Sequence, residues 1–174
     1  LGSDKTELFE VERLLNGATA VRVTKISSKG KLKQVTYYRE FDKKDTKEIR
    51  IYGFGGADRF VFKGDSRNKI KIRVIAGSGI DEVVDETTKS SRKNIFVYDM
   101  KDSLQIKKGG STKLRLSKNV NVNEYDRASF KYNTLFPLLY LGYTPDDRIF
   151  VGGGFVKTNY SFRNSPYSSR HQFS

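Results

Sequence analysis

Ile49-Arg50-Ile51-Tyr52-Gly53-Phe54-Gly55-Gly56-Ala57-Asp58-Arg59-Phe60-Val61-Phe62 is followed, 23 residues on, by Ile72-Arg73-Val74-Ile75-Ala76-Gly77-Ser78-Gly79-Ile80-Asp81-Glu82-Val83-Val84-Asp85. Each copy is a β-branched run, a Gly-rich corner holding Gly-x-Asp, and a second apolar run. Ile49 matches Ile72, Gly56 matches Gly79 and Asp58 matches Asp81 at that single offset. A fixed offset between strand–corner–strand units predicts stacked rungs of a solenoid or roll.

Working outward, the whole chain reads as all-β. Val, Ile, Thr, Tyr and Phe are plentiful, helical periodicity is scarce, and the 15 Gly fall between β-type runs. Upstream, Glu7 to Leu15 suits either a strand or a short helix. The turns Asn16-Gly17 and Ser27-Ser28-Lys29-Gly30 separate it from the alternating runs 20–26 and 34–41, which favours a strand and a short antiparallel meander over 7–41. Rungs are expected from 47 to 117, with strands at 47–52, 59–63, 69–76, 82–86, 94–98, 103–107 and 113–117. A polar loop spans 87–94, and Gly109-Gly110-Ser111 forms another corner. Residues 118–128 read as a polar linker without a core face. From 129 onward two longer runs, 130–143 and 148–163, flank a Thr144-Pro145-Asp146-Asp147 turn and predict a long β-hairpin. In the second run Val156, Thr158, Tyr160 and Phe162 share one face and Lys157, Asn159, Ser161 and Arg163 the other. That is the apolar-out, polar-in alternation of a membrane barrel strand, and equally of a half-buried soluble strand; strand length and aromatic content favour the membrane.

Mean hydropathy is −0.61, and no apolar run is long enough for a membrane-spanning helix. The absence of Cys removes disulfides, thiol catalysis and thiolate metal sites together. The opening Leu1-Gly2-Ser3-Asp4 shows no signal peptide and no initiating Met, which reads as an excised or processed piece. The formal charge is +13. Residues 1–87 hold 18 basic and 14 acidic residues, a net of +4, and residues 88–174 hold 15 and 6, a net of +9. A basic half suits nucleic acid, anionic lipid or lipopolysaccharide. The singly spaced lysines favour the plainer reading, in which they solvate strand edges and suppress edge-to-edge aggregation.

Three stretches in order carry a resemblance to a known family. They are Phe9-Glu10-Val11-Glu12-Arg13, Tyr38-Arg39-Glu40-Phe41, and Thr46-Lys47-Glu48-Ile49-Arg50-Ile51-Tyr52-Gly53-Phe54-Gly55-Gly56-Ala57-Asp58-Arg59-Phe60. Together they resemble a segment of large outer-membrane proteins of Bacteroidetes-type bacteria. In those proteins the segment lies between a calcineurin-like metallophosphoesterase and a C-terminal surface-antigen barrel of the BamA/TamA type. The tail, with Asn123-Glu124-Tyr125-Asp126-Arg127, Lys131-Tyr132-Asn133, Pro137 through Asp146, Gly152-Gly153-Gly154-Phe155 and Tyr160-Ser161-Phe162-Arg163, is similar to the start of that barrel. The resemblance spans nearly the whole chain, without any one strong motif. It implies that 1–117 is a β-rich connecting region and that residues from about 129 enter the first barrel strands. The chain departs from the family in lacking the phosphoesterase metal signatures and in having too few strands to close a barrel. Neither phosphatase nor insertase activity carries over.

The residue types offer little chemistry. Asp58 and Asp81, with corners at Gly53, Gly56, Gly77 and Gly79, are the candidate calcium ligands. Ca²⁺ prefers carboxylate and carbonyl oxygens, which calcium-binding nonapeptide rolls supply from neighbouring turns. The corners lack repeated Gly-Gly-x-Gly and the offset of 23 is not two nonapeptides. The favoured reading is therefore Gly supplying positive φ and Asp capping the corner. His171 has no second His or Cys for zinc, and Asp81/Glu82 and Asp85/Glu86 read as strand-end solvation rather than a glycosidase pair. Gly152-Gly153-Gly154 lacks the Lys-Ser/Thr of a phosphate loop, so curvature or close packing is the better reading. Basic residues interleaved with aromatics (Arg22, Lys25, Tyr37, Tyr38, Arg39, Arg50, Tyr52) suggest a stacking surface for nucleic acid, but no recognised module accompanies them.

The function expected from the sequence is that of a non-enzymatic structural segment of an outer-membrane protein, without cofactor. It links a soluble, phosphoesterase-type domain to a barrel, and its partners are the outer membrane and the rest of that barrel. The alternatives are a calcium-stabilised surface or adhesion roll and a basic nucleic-acid or polyanion-binding β domain.

Overall fold

The computed structural model describes residues 1–64, 70–87, 94–107, 112–146 and 148–174. Gly109-Gly110-Ser111, the 88–93 portion of the polar loop, and Asp147 of the turn lie outside the described residues. The described residues are all-β with two short 3₁₀ turns, and the chain divides into two compact units, Leu1–Tyr125 and Asp126–Ser174.

In the first unit the ambiguous opening is a strand, β1 (Glu7–Arg13). It pairs antiparallel with β2 (Thr19–Ile26), and β2 with β3 (Leu32–Phe41), which forms the expected meander. The remaining strands are β4 (Glu48–Tyr52), β5 (Arg59–Gly64), β6 (Lys71–Ile75), β7 (Asp81–Asp85), β8 (Ile95–Met100), β9 (Leu104–Lys107) and β10 (Thr112–Ser117). They fall into two sheets, β3-β2-β1-β5-β7-β9 and β10-β8-β6-β4.

The spacing of the repeat explains the pairing. Ile49 lies beside Ile72 and Ile72 beside Ile95, all in parallel; Phe60 lies beside Val83 and Val83 beside Ile106. Each step is 23 residues, so every copy delivers its two strands in register with the copy before. Alternation then sends Ile49, Ile51, Ile72, Val74, Ile95 and Val97 from one sheet against Phe9, Val11, Phe60, Phe62 and Val83 from the other. The Phe9 and Phe60 rings stack at 4.8 Å. Each such side chain contributes about 1.5–3 kcal/mol when fully buried, so the repeat's apolar positions are what hold the sheets together.

The structure adds a copy that the sequence conceals. β1 runs parallel to β5 with Leu8 beside Arg59 and Phe9 beside Phe60, an offset of 51 residues. Gly2-Ser3-Asp4-Lys5-Thr6-Glu7 therefore occupies the place of Gly53 through Asp58. Its backbone bonds match: Gly2 N–H donates to the Tyr52 carbonyl as Gly53 N–H donates to that of Ile75 and Ala76 N–H to that of Tyr98. The β2–β3 hairpin is inserted between this half-copy and the next, and β2 covers the free edge of β1.

The polar linker does have packing partners. Its 3₁₀ turns, Val120–Asn123 and Arg127–Ser129, are capped by Asn119 and Asp126. Within the first unit the Asn123 amide donates to the carbonyl of Gly77 and, at 3.1 Å, to Asp99. Tyr125 packs edge-on to Tyr52 and Phe54.

The second unit is a sheet ordered β11-β12-β13, from β11 (Thr134–Thr144), β12 (Arg148–Asn159) and β13 (Ser169–Phe173). The long hairpin is present, with eleven antiparallel pairs from Thr134/Thr158 to Thr144/Arg148. The Ser/Arg-rich tail, including His171, supplies the third strand, and no closed barrel forms among the described residues. β12 ends at Asn159, before Tyr160 and Phe162.

Candidate functional site

The corner carboxylates come first. Glu7, Asp58 and Asp81 occupy equivalent positions in successive copies, and all three are buried. Each is stitched to the next through the backbone. Glu7 N–H donates to Asp58 Oδ1 at 2.8 Å, and Asp58 N–H donates to Asp81 Oδ1 at 2.8 Å. Glu7 Oε2 accepts the Ser3 N–H, and Asp81 N–H continues to the carbonyl of Ser103. In the copy after Asp81, Leu104 stands where the acid would be. Asp99 enters instead from the position of Gly53 and Ala76, accepting from Met100 N–H, Ser103 Oγ and Asn123 Nδ2.

Glycine makes this approach sterically accessible. A Cβ on Gly53 would overlap the Ala76 carbonyl and crowd Asp58 Oδ2; one on Gly79 (φ +133°) would overlap the carbonyl of Gly56. Gly56 and Gly77 also have positive φ. The corner roles expected of Gly53, Gly56, Gly77 and Gly79 thus have a concrete cause, which is the close approach of one copy's backbone to the next.

The Oδ2 oxygens of Asp58, Asp81 and Asp99 are buried and have no hydrogen-bond partner among the described residues. Burial pushes Asp58 up to about 8, assisted by the charges of Asp81 and Glu7 and opposed by the Glu7 N–H. Burial pushes Asp81 up to about 6, with the Asp58 N–H opposing and Asp99 assisting, and raises Asp99 as well. Asp58 so placed holds a proton near neutrality. Among the described residues no three His, Cys, Asp or Glu side chains are grouped to hold a metal ion. Asp58 and Asp81 act here as acceptors for backbone N–H groups.

A second buried polar cluster lies at the far ends of the strands. Arg13 is 2% exposed, and its Nη2 donates to Asn94 Oδ1 at 2.8 Å and to the Ile70 carbonyl at 3.3 Å. Burial lowers its pKa to about 10 against the support of Asp85. Asp85 accepts from Thr87 N–H and Oγ1 and from Thr112 Oγ1. Asp81 and Asp85 are therefore interior hydrogen-bonding groups and not solvating strand ends, because both project inward beside Val83. Their sequence neighbour Glu82 faces outward, paired with Arg59 at 3.0 Å and Lys107 at 3.6 Å.

The basic and aromatic residues suggested as one stacking surface are dispersed. Arg22 and Tyr38 lie opposite each other on the outer face of their sheet, whereas Tyr37 lies opposite Val23 on the other face, and Arg50 and Tyr52 belong to the second sheet. His171 is an exposed residue of β13 opposite Lys157.

The second unit carries one pronounced apolar face. Antiparallel partners share a face, so Leu135, Pro137, Leu139, Leu141 and Tyr143 of β11 join Phe155, Val151 and Ile149 of β12 and Phe173 of β13. Leu139 and Ile149 are each 74% exposed, and Leu141 and Tyr143 each 71%. Lys157 and His171 close this face at one end. The opposite face holds Gly142, Gly152, Gly154, Arg148, Arg170 and Gln172 together with Phe136, Tyr140 and Phe150. Val156 and Thr158 also lie there, nearly buried. The exposed apolar side is thus the one that carries Lys157, the reverse of the expected arrangement. The register with β11 decides this, since it places Lys157 beside Leu135 and next in line with Phe155, Val151 and Ile149. Gly154 packs against the Phe173 carbonyl, the close approach expected of the glycine run.

No family model, curated protein or solved structure matches this chain.

Proposed function

We propose that the chain is a non-enzymatic structural segment of an outer-membrane protein. In this reading residues 1–125 form a short solenoid-like connector built from the 23-residue rungs, and the sheet of residues 134–173 is the beginning of a membrane barrel. The BamA/TamA-type resemblance motivates the family, and the apolar face of the β11-β12-β13 sheet carries the reading.

Two magnitudes support it. Leu135 to Tyr143 is about nine residues, the lower end of the ~9–11 that a tilted barrel strand uses to cross a bilayer. The same face leaves eight large apolar side chains in water at roughly half of their burial energy or more, on the order of 10 kcal/mol in total. Covering the face would release that energy, comparable with the net stability of a typical domain, so an apolar environment or a covering partner is strongly favoured there. Pro137, which has no N–H to donate, lies in β11, at the edge of the sheet, where a missing donor is tolerated.

Flotation of the full chain with phosphatidylethanolamine/phosphatidylglycerol vesicles tests the proposal. The chain is expected to float with the vesicles, and L139E/L141E to leave it in the aqueous fraction while the melting of residues 1–125 is unchanged. A detergent-free, monodisperse monomer that retains residues 126–174 against protease and ignores vesicles would overturn it.

A further inference from the structure

The outer faces of the two sheets of the first unit differ in charge. On the β3-β2-β1-β5-β7-β9 sheet, outside the bulged start of β3, the outward strand positions carry Arg22, Arg59, Lys63 and Lys107 against Glu10, Glu12, Glu40 and Glu82, four of each sign. Cross-strand pairs join them: Arg59–Glu82, Lys63–Glu10 and Lys107–Glu82. On the β10-β8-β6-β4 sheet the outward positions carry Arg50, Lys71, Arg73, Lys113 and Arg115 against Glu48 alone. Arg50 lies directly beside Arg73 on the neighbouring strand. Like charges placed so are unfavourable, and solubility alone is served equally well by the balanced pattern of the other sheet.

We infer that the outer face of the β10-β8-β6-β4 sheet binds a linear carboxylate-bearing polysaccharide. Glu48 already shows the chemistry. Its carboxylate is engaged by Arg50 at 2.7 Å, Arg73 at 3.1 Å and Lys71 at 3.8 Å. The exposed Lys113 and Arg115, two strands beyond Arg73, repeat the cationic character on β10. Cations therefore lie on β4, β6 and β10, with Phe96 and Tyr98 of β8 between them, and the row spans about 14 Å at the usual inter-strand spacing, along the direction in which the copies stack. Three of the five are Arg, whose planar fork matches carboxylate oxygens. The aromatic residues between them do not form a base-stacking platform, because the Arg73 guanidinium lies 5.2 Å from the Phe96 ring centroid and 5.9 Å from that of Tyr98 and also donates to the Tyr98 hydroxyl. This separates the face from single-strand nucleic-acid binders, which need open ring faces. The inference stands on the first unit and is independent of the membrane proposal.

Fluorescence anisotropy of labelled oligogalacturonate, titrated with the full chain at low ionic strength, reads the binding. Binding is expected, weakening with added salt, and K113E/R115E is expected to lower affinity about tenfold or more, as the loss of ion-releasing contacts requires. K63E/K107E makes the same charge change on the other sheet and is expected to leave affinity within about twofold, with both variants melting as the parent does. Equal losses in the two variants, absence of oligogalacturonate binding, binding of neutral dextran, or tighter binding of an oligo(dT) of equal charge would each overturn the inference.

Discussion

At the scale of single residues, the corner acids set the pH dependence of the fold. Asp58 is raised from 3.8 to about 8 and Asp81 to about 6. Between roughly pH 4 and 8 the folded state therefore keeps a proton at Asp58 that the unfolded chain has lost. Its contribution is fully present below the unfolded pKa and is lost as pH rises through the folded one. The slope for one such proton is at most about 1.4 kcal/mol per pH unit. Denaturant melts are expected to show stability falling from pH 5 to pH 9. Asp58→Asn, which keeps the shape and the acceptor but not the acid, should flatten the curve between pH 6 and 8, where Asp81 has already titrated. A slope unchanged by this substitution would place the proton elsewhere. Gly79→Ala is a steric counterpart: it meets the Gly56 carbonyl at φ +133° and should cost well over about 1 kcal/mol. Gly30→Ala, at φ +75° with open space around it, should cost only about 1 kcal/mol. The two denaturation midpoints compare them directly.

At the scale of elements, the parallel strands share their load through the register. Ile72 is fully buried between Ile49 and Ile95 in adjacent strands. Truncation there removes contacts on both sides at once, and Ile72→Ala is expected to cost about 2–5 kcal/mol in chemical denaturation. Leu15, 95% exposed in the turn after β1, should tolerate the same change at a cost within about 0.5 kcal/mol. The hairpin β2–β3 belongs to a different category of element. It interrupts the repeat, and through β2 it pairs the edge that β1 would otherwise present to other chains.

At the scale of the whole molecule, the boundary after Tyr125 has energetic content. A fragment ending at Ser117 loses Asn123, which donates to Gly77 and Asp99, and Tyr125, which packs on Tyr52 and Phe54. Its loss of stability relative to a fragment ending at Tyr125 should reach about 2–4 kcal/mol, from two edge-on aromatic contacts and the two part-buried hydrogen bonds of one amide. The fragment 1–125 is expected to melt as the first unit does in the full chain, as calorimetry of the three proteins would show. The second unit follows another rule. Its strands pair along the β11–β12 and β12–β13 seams and leave an apolar face exposed.

The sequence by itself determined the class and the repeat. A 23-residue spacing of Ile, Gly and Asp is enough to specify strand, corner and strand, because period-2 alternation and the demand for glycine at a tight backbone approach are local properties. It also marked Asp58 and Asp81. Tertiary structure alone decided what those acids do, since burial, the donated N–H groups and the neighbouring charges come from other copies. Glu7 escaped notice because its copy is separated by the inserted hairpin and carries Glu, although Gly2-x₄-Glu7 has the spacing of Gly53-x₄-Asp58. Asp99, Arg13 and Asn123 left no local pattern at all. The exposed apolar face of the C-terminal sheet lies beyond the sequence for a similar reason: alternation identifies two faces, but only the register with a partner strand says which of them the neighbouring strands extend into a continuous apolar surface.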